Sequence, residues 1–138
     1  GILCGDVTEA DRRDQARAAE IVAALGSVDV GQGAVVAQGL CLAVESLPGT
    51  DAMLAFAADH QGLRPDPKGA GGVFYKAPKP GQDRRIDLPA IGPQTVANAT
   101  KAGLSGIAWE AGGVMLLDRD ATVAAAQEAG LFLWACAP

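Results

Sequence analysis

The sequence contains a single histidine, His60, and this scarcity removes several familiar kinds of site. A zinc centre of histidine and cysteine ligands would need more than one histidine, and a Ser-His-Asp triad would have to use this residue. His60 follows a predicted helix, where a partly exposed C-terminal cap is a simpler interpretation than catalysis. The sequence also lacks a GxxxxGK[ST] phosphate loop, and no GxGxxG follows a strand and opens a helix. Any chemistry is therefore expected to rest on oxygen ligands and cations.

Cysteines and long apolar runs are scarce as well. Cys4, Cys41 and Cys136 are far apart in apolar surroundings, which favours buried free thiols in a reducing compartment over a disulfide or a metal site. Glycine, glutamine and aspartate interrupt the longest uncharged runs, so no segment is expected to span a membrane. No signal peptide opens the chain, and Gly1 in place of methionine suggests a processed or truncated start.

Acidic residues outnumber basic ones by 16 to 11, and the net charge of −5 argues against nucleic acid as the main partner. The charge is unevenly distributed along the chain. Residues 68–85 form a basic island of five basic residues and one acidic residue on an otherwise acidic protein. Such an island is the pattern expected of a site for an anionic small molecule. Its charged residues are Lys68, Lys76, Lys79, Asp83, Arg84 and Arg85.

The apolar pattern predicts a layered α/β domain. Helical periodicity alternates with short β-branched runs in the order helix, two strands, helix, strand, helix, two strands, helix, strand. Helices placed between strands favour a sheet of about six strands that is covered on both faces. The helices are expected over residues 11–25, from Thr50, from Pro93 to about residue 102, and after Asp118.

Two glycine-containing pairs predict hairpins, which would make the sheet mixed. Gln38-Gly39 separates "GAVVA" from "LCLAV", and Gly112-Gly113 separates "GIAWEA" from "VMLLD". We take residues 1–10 as an N-terminal extension or a remnant of an interdomain linker, and residues 11–138 as the folded domain.

Residues 76–87, "KAPKPGQDRRID", follow a predicted strand and combine cations with carboxylates. The lysines and arginines can donate to phosphate oxygens, and Asp83 and Asp87 are hard ligands suited to Mg²⁺. Three nearby prolines restrict the backbone, which lowers the entropy lost on fixing these side chains around a ligand. A divalent ion among carboxylates and cations suits the attack of water on a phosphorus centre. A solvated loop with internal ion pairs is the alternative.

Polar residues at other strand and helix ends are further candidates. Thr50 is placed to cap a helix and Asp51 lies in its first turn, so they could form an anion site or provide a second carboxylate for a metal. Simple capping explains both residues equally well. Gln32, Glu45 and Glu110 are weaker candidates, because an acidic residue at the end of a strand can line a ligand crevice or form a salt bridge.

Four segments together resemble the C-terminal domain of the UDP-2,3-diacylglucosamine pyrophosphatase family of the LpxI type. They are "LGSVDVGQGAVVAQGLCLAVESLPGTDAM", "KAPKPGQDRRIDLPAIGPQTV", "AGLSGIAWEAG" and "VMLLDRDATVAAAQEAGLFLWA". The resemblance runs from about residue 11 to residue 135. Its specific parts are DVGQ, the GTDAM turn, KP-Q-D-R-DLP-IG and EAG, whose order and spacing are hard to reach by chance.

The resemblance implies a cytoplasmic enzyme of lipid A biosynthesis in a Gram-negative bacterium, peripheral at the inner membrane. Such enzymes use Mg²⁺ to hydrolyse UDP-2,3-diacylglucosamine to UMP and 2,3-diacylglucosamine 1-phosphate (lipid X). An essential aspartate of the family matches Asp87, which implies metal binding or water activation there, with Asp51 and Asp83 as helpers and Asp51 as a second metal ligand. The resemblance also implies a pyrophosphate site of Lys76, Lys79 and Arg85, with further polar contacts from Gln32, Thr50, Gln82 and Thr95.

Family members also carry an N-terminal domain, and the substrate lies between the two domains. That domain is absent from this chain, so we expect the chain alone to have little or no hydrolase activity. Two alternatives remain open. One is a phosphate- or nucleotide-binding module without chemistry of its own, and the other is a dimerisation module whose apolar hairpins pair at sheet edges. These roles can coexist, and a homodimer is expected.

Overall fold

A computed structural model describes residues 1–80 and 88–138. The described helices are α1 Glu9–Ser27, α2 Thr50–Asp59, α3 Pro93–Lys101 and α4 Arg119–Ala129, with a short 3₁₀ helix at Gln61–Leu63. The described strands are β1 Ile2–Cys4, β2 Gly33–Ala37, β3 Leu40–Val44, β4 Val73–Lys76, β5 Ala90–Ile91, β6 Gly106–Glu110, β7 Met115–Leu116 and β8 Phe132–Cys136.

Six of the described strands form one mixed sheet, as predicted, in the order β1-β8-β6-β4-β2-β3. Strands β4, β6 and β8 run parallel to one another, whereas β2 is antiparallel to β4, β3 to β2 and β1 to β8. Because β2 is antiparallel to β4 and β3 is antiparallel to β2, β3 runs in the same direction as β4. The carboxyl ends of β3, β4, β6 and β8 therefore meet at one edge of the sheet.

Helices cover both faces of this sheet, which confirms the predicted α/β layering. Helix α1 packs on one face, where its residues Ala18 and Val22 join a core with Val73 and Tyr75 of β4. Helices α2, α3 and α4 cover the other face, whose core includes Phe74 of the same strand. Because successive side chains of a strand point to opposite faces, the five-residue "GVFYK" segment serves both cores.

The first predicted hairpin is confirmed, since β2 and β3 pair antiparallel across Gln38-Gly39. Both turn residues have a left-handed backbone, with φ of 55° and 80°. The buried carboxylate of Asp14, on α1, accepts hydrogen bonds from both of their N–H groups, at 3.1 and 2.9 Å. Helix α1 therefore fixes the turn that sets the register of the hairpin.

The second predicted hairpin is wrong. Strand β6 lies between β4 and β8 and pairs in parallel with both, and β7 pairs in parallel with β5 in a separate two-stranded sheet. Continuous burial along "GIAW" is what a strand inside a parallel sheet requires, whereas a hairpin strand on a surface would alternate. As an interior strand, β6 has no edge at which a second chain could pair. Of the strands in the two expected hairpins, only β3 lies at the edge of the six-stranded sheet.

The ends of the chain belong to the sheet more fully than the sequence indicated. Residues 1–10, expected as an extension or linker remnant, contain β1 at one sheet edge and the beginning of α1. Cys4 and Cys136 are buried as expected, but Cys41 is exposed on edge strand β3.

The ends of α2 are partly as predicted. His60 forms the C-terminal cap and is exposed, in agreement with the simpler interpretation. The N-cap is Gly49 instead of Thr50, so Thr50 is the first helical residue and its hydroxyl is available for other contacts.

None of the helices within the described ranges combines the length and the apolar character needed to cross a membrane.

Candidate functional site at the carboxyl edge of the sheet

The carboxyl edge of the sheet gathers several of the polar residues predicted for the site. Lys76 is the last residue of β4, and Glu45 directly follows β3. Strand β2 begins at the same edge, because Gly33 pairs with Lys76, and this places Gln32 there. Helix α2 also begins at this edge with Thr50. Open α/β sheets bind ligands in the crevice at this edge.

Lys76 is the buried cation of the site. Only 7% of the residue is exposed, and its Nζ donates to the hydroxyl of Thr50 at 3.1 Å and to the carbonyl oxygen of Ala90 at 3.2 Å. Burial lowers the pKa of Lys76, and the carboxylates of Glu45 and Asp51 oppose that shift. The charge is thus held inside the protein by hydrogen bonds and by two nearby carboxylates.

Glu45 is the buried carboxylate next to this cation. Its Oε1 accepts a hydrogen bond from the backbone N–H of Gln32 at 2.9 Å, and its Oε2 accepts one from the hydroxyl of Thr50. The carbonyl of Gln32 in turn accepts from the N–H of Ala77, at 3.0 Å, just after Lys76. The segments that follow β3, precede β2 and follow β4 are therefore joined through one carboxylate and one peptide unit.

The glycine of the "DVGQ" motif allows this approach. A Cβ atom added at Gly31 would lie 2.7 Å from the carbonyl carbon of Glu45 and closer still to its carbonyl oxygen. Real Cβ atoms essentially never come within 3.0 Å of another atom, so a side chain at Gly31 would force the two segments apart. The motif is thus explained by the close packing of its backbone against Glu45.

Asp51 offers an oxygen ligand at the rim of the same edge. It is exposed in the first turn of α2, and its Oδ1 accepts a hydrogen bond from the Nδ2 of Asn98, on α3, at 3.2 Å. One accessible carboxylate suits Mg²⁺ as a partial ligand set, because that ion keeps several waters and takes one or two carboxylates from the protein. Among residues 1–80 and 88–138, no group of three histidine, cysteine or acidic side chains is arranged to hold a metal.

Lys79 and Thr95 make their described contacts elsewhere. The Nζ of Lys79 forms an ion pair with the exposed Asp29, which follows α1, at 2.9 Å. The hydroxyl of Thr95 accepts from the N–H of Gly92 at 3.1 Å and closes the first turn of α3. Both residues therefore have structural roles at this end of the sheet that the sequence did not indicate.

The remaining predicted residues lie outside the residues that the structure describes. These are Asp87 and Asp83, with their catalytic and metal roles, and Arg85 and Gln82, with their substrate contacts. Their roles remain predictions. Of the other predicted residues, Lys76 donates directly to Thr50, and the backbone of Gln32 is linked to Thr50 through Glu45. Asp51 lies close enough to Lys76 to influence its pKa.

Two contributors were missed from the sequence, and one was undervalued. The carbonyl of Ala90 and the amide of Asn98 are separated from their partners by 14 and 47 residues, and no local pattern indicates such contacts. Glu45 was a weak candidate, although it is the residue to which both Gln32 and Thr50 bond. A buried acidic residue at the end of an apolar strand was the available signal.

An apolar groove adjoins this edge. It has a volume of about 320 Å³ and runs between the end of β3 and the outer side of α2. Its wall includes Gly49, which directly precedes Thr50, so the groove opens beside the polar residues. The apolar lining residues include Val44, Pro48, Ala52, Met53 and Phe56.

Comparison with known proteins gives two matches. The family model described as the LpxI C-terminal domain matches residues 1–134. A relative from Caulobacter vibrioides, named UDP-2,3-diacylglucosamine pyrophosphatase LpxI, is 48% identical over 118 residues. The aligned region covers 85% of this chain but 42% of the relative, so the chain spans about two fifths of that protein's length.

Proposed function

This chain belongs to the LpxI C-terminal domain family, and on that premise we propose that it is part of a UDP-2,3-diacylglucosamine pyrophosphatase. The reaction is the Mg²⁺-dependent hydrolysis of UDP-2,3-diacylglucosamine to UMP and 2,3-diacylglucosamine 1-phosphate, in lipid A biosynthesis. The natural protein that carries this chain is the full-length protein. We propose that it is cytoplasmic, works at the inner membrane of a Gram-negative bacterium, and forms a homodimer.

The observation that carries this proposal is the buried ammonium of Lys76 at the carboxyl edge of the sheet. An ammonium with most of its surface removed from water interacts strongly with an anionic ligand, because little solvent screens it. The backbone N–H groups at the beginning of α2 lie at the same edge and favour negative charge. A diphosphate is a ligand of the right charge for such an edge.

On this proposal, each predicted site residue either binds the diphosphate, activates water or holds the metal ion. Lys76 binds a phosphate oxygen, with Lys79 and Arg85 as further cations, and Gln32, Thr50, Gln82 and Thr95 provide polar contacts or hold the cations in place. Asp87 orients and deprotonates the attacking water, assisted by Asp83. Asp51 and Asp87 would hold Mg²⁺, which supplies neutralisation of phosphate charge when bound.

The apolar groove between β3 and α2 supports a lipid substrate. A groove of about 320 Å³ with an apolar lining, opening beside Thr50, offers a hydrocarbon chain a surface that removes it from water. We propose that the groove receives part of an acyl chain of the sugar lipid. Burial of each methylene group there would contribute about 0.8 kcal/mol.

The test is Asp87→Ala in the full-length protein, with release of UMP from UDP-2,3-diacylglucosamine measured in the presence of Mg²⁺. We expect a loss of about 10²–10⁴-fold in kcat, the usual contribution of a positioned acid or base. Asp59→Ala is the matched control, because Asp59 is an exposed aspartate at the far end of α2. Binding of uncleaved substrate should persist in the Asp87 variant.

Equal turnover by the Asp87 and Asp59 variants would contradict the role proposed for Asp87. Turnover by the isolated 138-residue chain at the rate of the full-length protein would contradict the separate expectation that the chain alone has little or no activity. A variant that folds normally but no longer binds substrate would instead place Asp87 in recognition.

A further inference from the structure

We propose that Glu45 is a positioning residue, whose carboxylate fixes the hydroxyl of Thr50 so that this hydroxyl holds the ammonium of Lys76 at the ligand edge. The inference rests on the proposed function for the identity of the ligand. The arrangement of the three side chains does not depend on the ligand, because it consists of contacts within the protein.

The donors and acceptors of Lys76, Thr50 and Glu45 allow only one orientation of the hydrogen bonds between these side chains. The ammonium of Lys76 can only donate, and an ionised Glu45 carboxylate can only accept. The hydroxyl of Thr50 lies between them, and it has one proton to donate and lone pairs to accept with. It must therefore give its proton to Glu45 and turn a lone pair toward Lys76. A threonine without the carboxylate could rotate its hydroxyl and lose this preference.

Counted over residues 1–80 and 88–138, the same bonds leave Lys76 with one N–H donor for a ligand. An ammonium has three N–H donors. Within the described residues, one goes to the hydroxyl of Thr50 and one to the carbonyl oxygen of Ala90. Two fixed bonds define the direction of the third N–H, which is what a residue needs in order to meet a phosphate oxygen at a set position.

One oxygen of the Glu45 carboxylate accepts from the N–H of Gln32, and the backbone also holds the end of β3, because the N–H of Glu45 donates to the carbonyl of Gly33 at 2.8 Å. The other carboxylate oxygen serves Thr50. A carboxylate that is only 8% exposed is costly without a partner of opposite charge, and Lys76 is the cation that reaches it through Thr50. Burial lowers the pKa of Lys76, and Glu45 is the first carboxylate that counteracts this. The Glu45 carboxylate thus favours the charged form of the buried Lys76.

The experiment compares three variants of the full-length protein in UMP release from UDP-2,3-diacylglucosamine. Thr50→Val keeps the side-chain shape without the hydroxyl, Thr50→Ser keeps the hydroxyl, and Glu45→Gln keeps the size but removes the charge. We expect kcat/KM to fall about 10- to 100-fold in Thr50→Val and Glu45→Gln, the range for a lost hydrogen bond to a charged group. Thr50→Ser should stay within about threefold of the unaltered protein, since it preserves the bond.

A purely structural role would give a different pattern. It would lower the melting temperature in step with activity, and adding Glu45→Gln to Thr50→Val would multiply the two losses. In Glu45→Gln the amide oxygen can keep the hydrogen bond from the N–H of Gln32, so the contact that is lost is the one with Thr50. The proposal therefore predicts that the double variant is no slower than Thr50→Val alone, because both changes break that contact. Glu20→Gln, an exposed change on α1, is the control for altered net charge.

A second readout does not depend on turnover. In crystal structures of the full-length Glu45→Gln and Thr50→Val proteins, the Nζ of Lys76 should leave its position and lie beyond about 3.5 Å from the Ala90 carbonyl oxygen. An Nζ that stays at the Ala90 carbonyl, or equal activities of the valine and serine variants, would overturn the inference. If the unaltered protein hydrolyses no UDP-2,3-diacylglucosamine, the proposed function fails, and the position of Nζ alone decides the role of Glu45.

Discussion

Replacement of Gly31 by alanine should be one of the most damaging single-methyl changes in this protein. The added Cβ would lie 2.7 Å from the carbonyl carbon of Glu45, whereas ordinary van der Waals contact begins at 3.4 Å. The neighbour is backbone and cannot rotate away. Either the segment before β2 or the segment after β3 must therefore move by at least 0.7 Å.

The size of the effect follows from what that movement breaks. Two hydrogen bonds join the same two segments, Glu45 N–H to the Gly33 carbonyl at 2.8 Å and Gln32 N–H to the Glu45 carboxylate at 2.9 Å. Lengthening either one by 0.7 Å takes it to or past the limit of a hydrogen bond. Loss of both bonds, at about 0.5–1.5 kcal/mol each, adds to about 1–3 kcal/mol for overpacking. We expect a loss of roughly 2–6 kcal/mol in the free energy of unfolding.

Urea denaturation followed by tryptophan fluorescence measures this loss, since Trp109 is buried in the sheet. Gly62→Ala is the matched control, because Gly62 has no atom within 4 Å of an added Cβ and its φ lies outside the left-handed region. That control should change stability by less than about 1 kcal/mol, in the stabilising direction. A Gly31→Ala protein as stable as the Gly62→Ala protein would show that the segments around Glu45 are not packed as described.

Two further predictions concern the opposite face of the sheet and the groove. Burial raises the pKa of Tyr75 to about 12, so between pH 10 and pH 12 the unfolded chain releases a proton that the folded chain keeps, and stability falls as the pH rises. Tyr75→Phe should remove about 2–3 kcal/mol of this alkaline loss of stability. Tyr75 is the only tyrosine of the chain, so phenolate absorbance reports on it alone. A phenolate absorbance that titrates near pH 10 in the folded protein would refute the raised pKa. Ala52→Trp should fill the groove beside α2 and raise KM for UDP-2,3-diacylglucosamine about 10-fold or more without lowering the melting temperature, as expected when burial of two or more methylene groups is lost. An unchanged KM in that variant would exclude the groove as an acyl site.

The fold could be predicted where local rules decide. Gln38-Gly39 gave the hairpin because both residues accept a left-handed backbone, and helices between strands gave the layers. The error at Gly112-Gly113 has a physical origin. A glycine pair marks a turn but does not say which strands pair, and the continuous apolar run "GIAW" was the stronger indication of an interior strand.

The candidate site was predictable to a smaller extent. Lys76 and Thr50 were identified from charge and from a helix start, which are local properties. Their contact and its link through Glu45 depend on how β3, β4 and α2 come together in space, which no short stretch of sequence encodes. Thr50 was predicted as the N-cap of α2, but Gly49 occupies that position. The hydroxyl of Thr50 therefore donates to Glu45 instead of capping the helix, which the local sequence did not indicate.

The basic island shows why composition alone cannot define a site. Lys76 is the last residue of β4, and because it lies two residues after Phe74 it shares the face of that residue and reaches Thr50 on α2. Lys79 lies beyond the end of the strand and pairs with Asp29, which follows α1. The backbone near Lys79 also lies against α1, because a Cβ atom at Gly26 would come within 3.0 Å of Pro80. A count of five cations in this stretch therefore overstates the positive charge that one ligand can meet, and the proposed diphosphate site depends all the more on how firmly Glu45 and Thr50 hold Lys76.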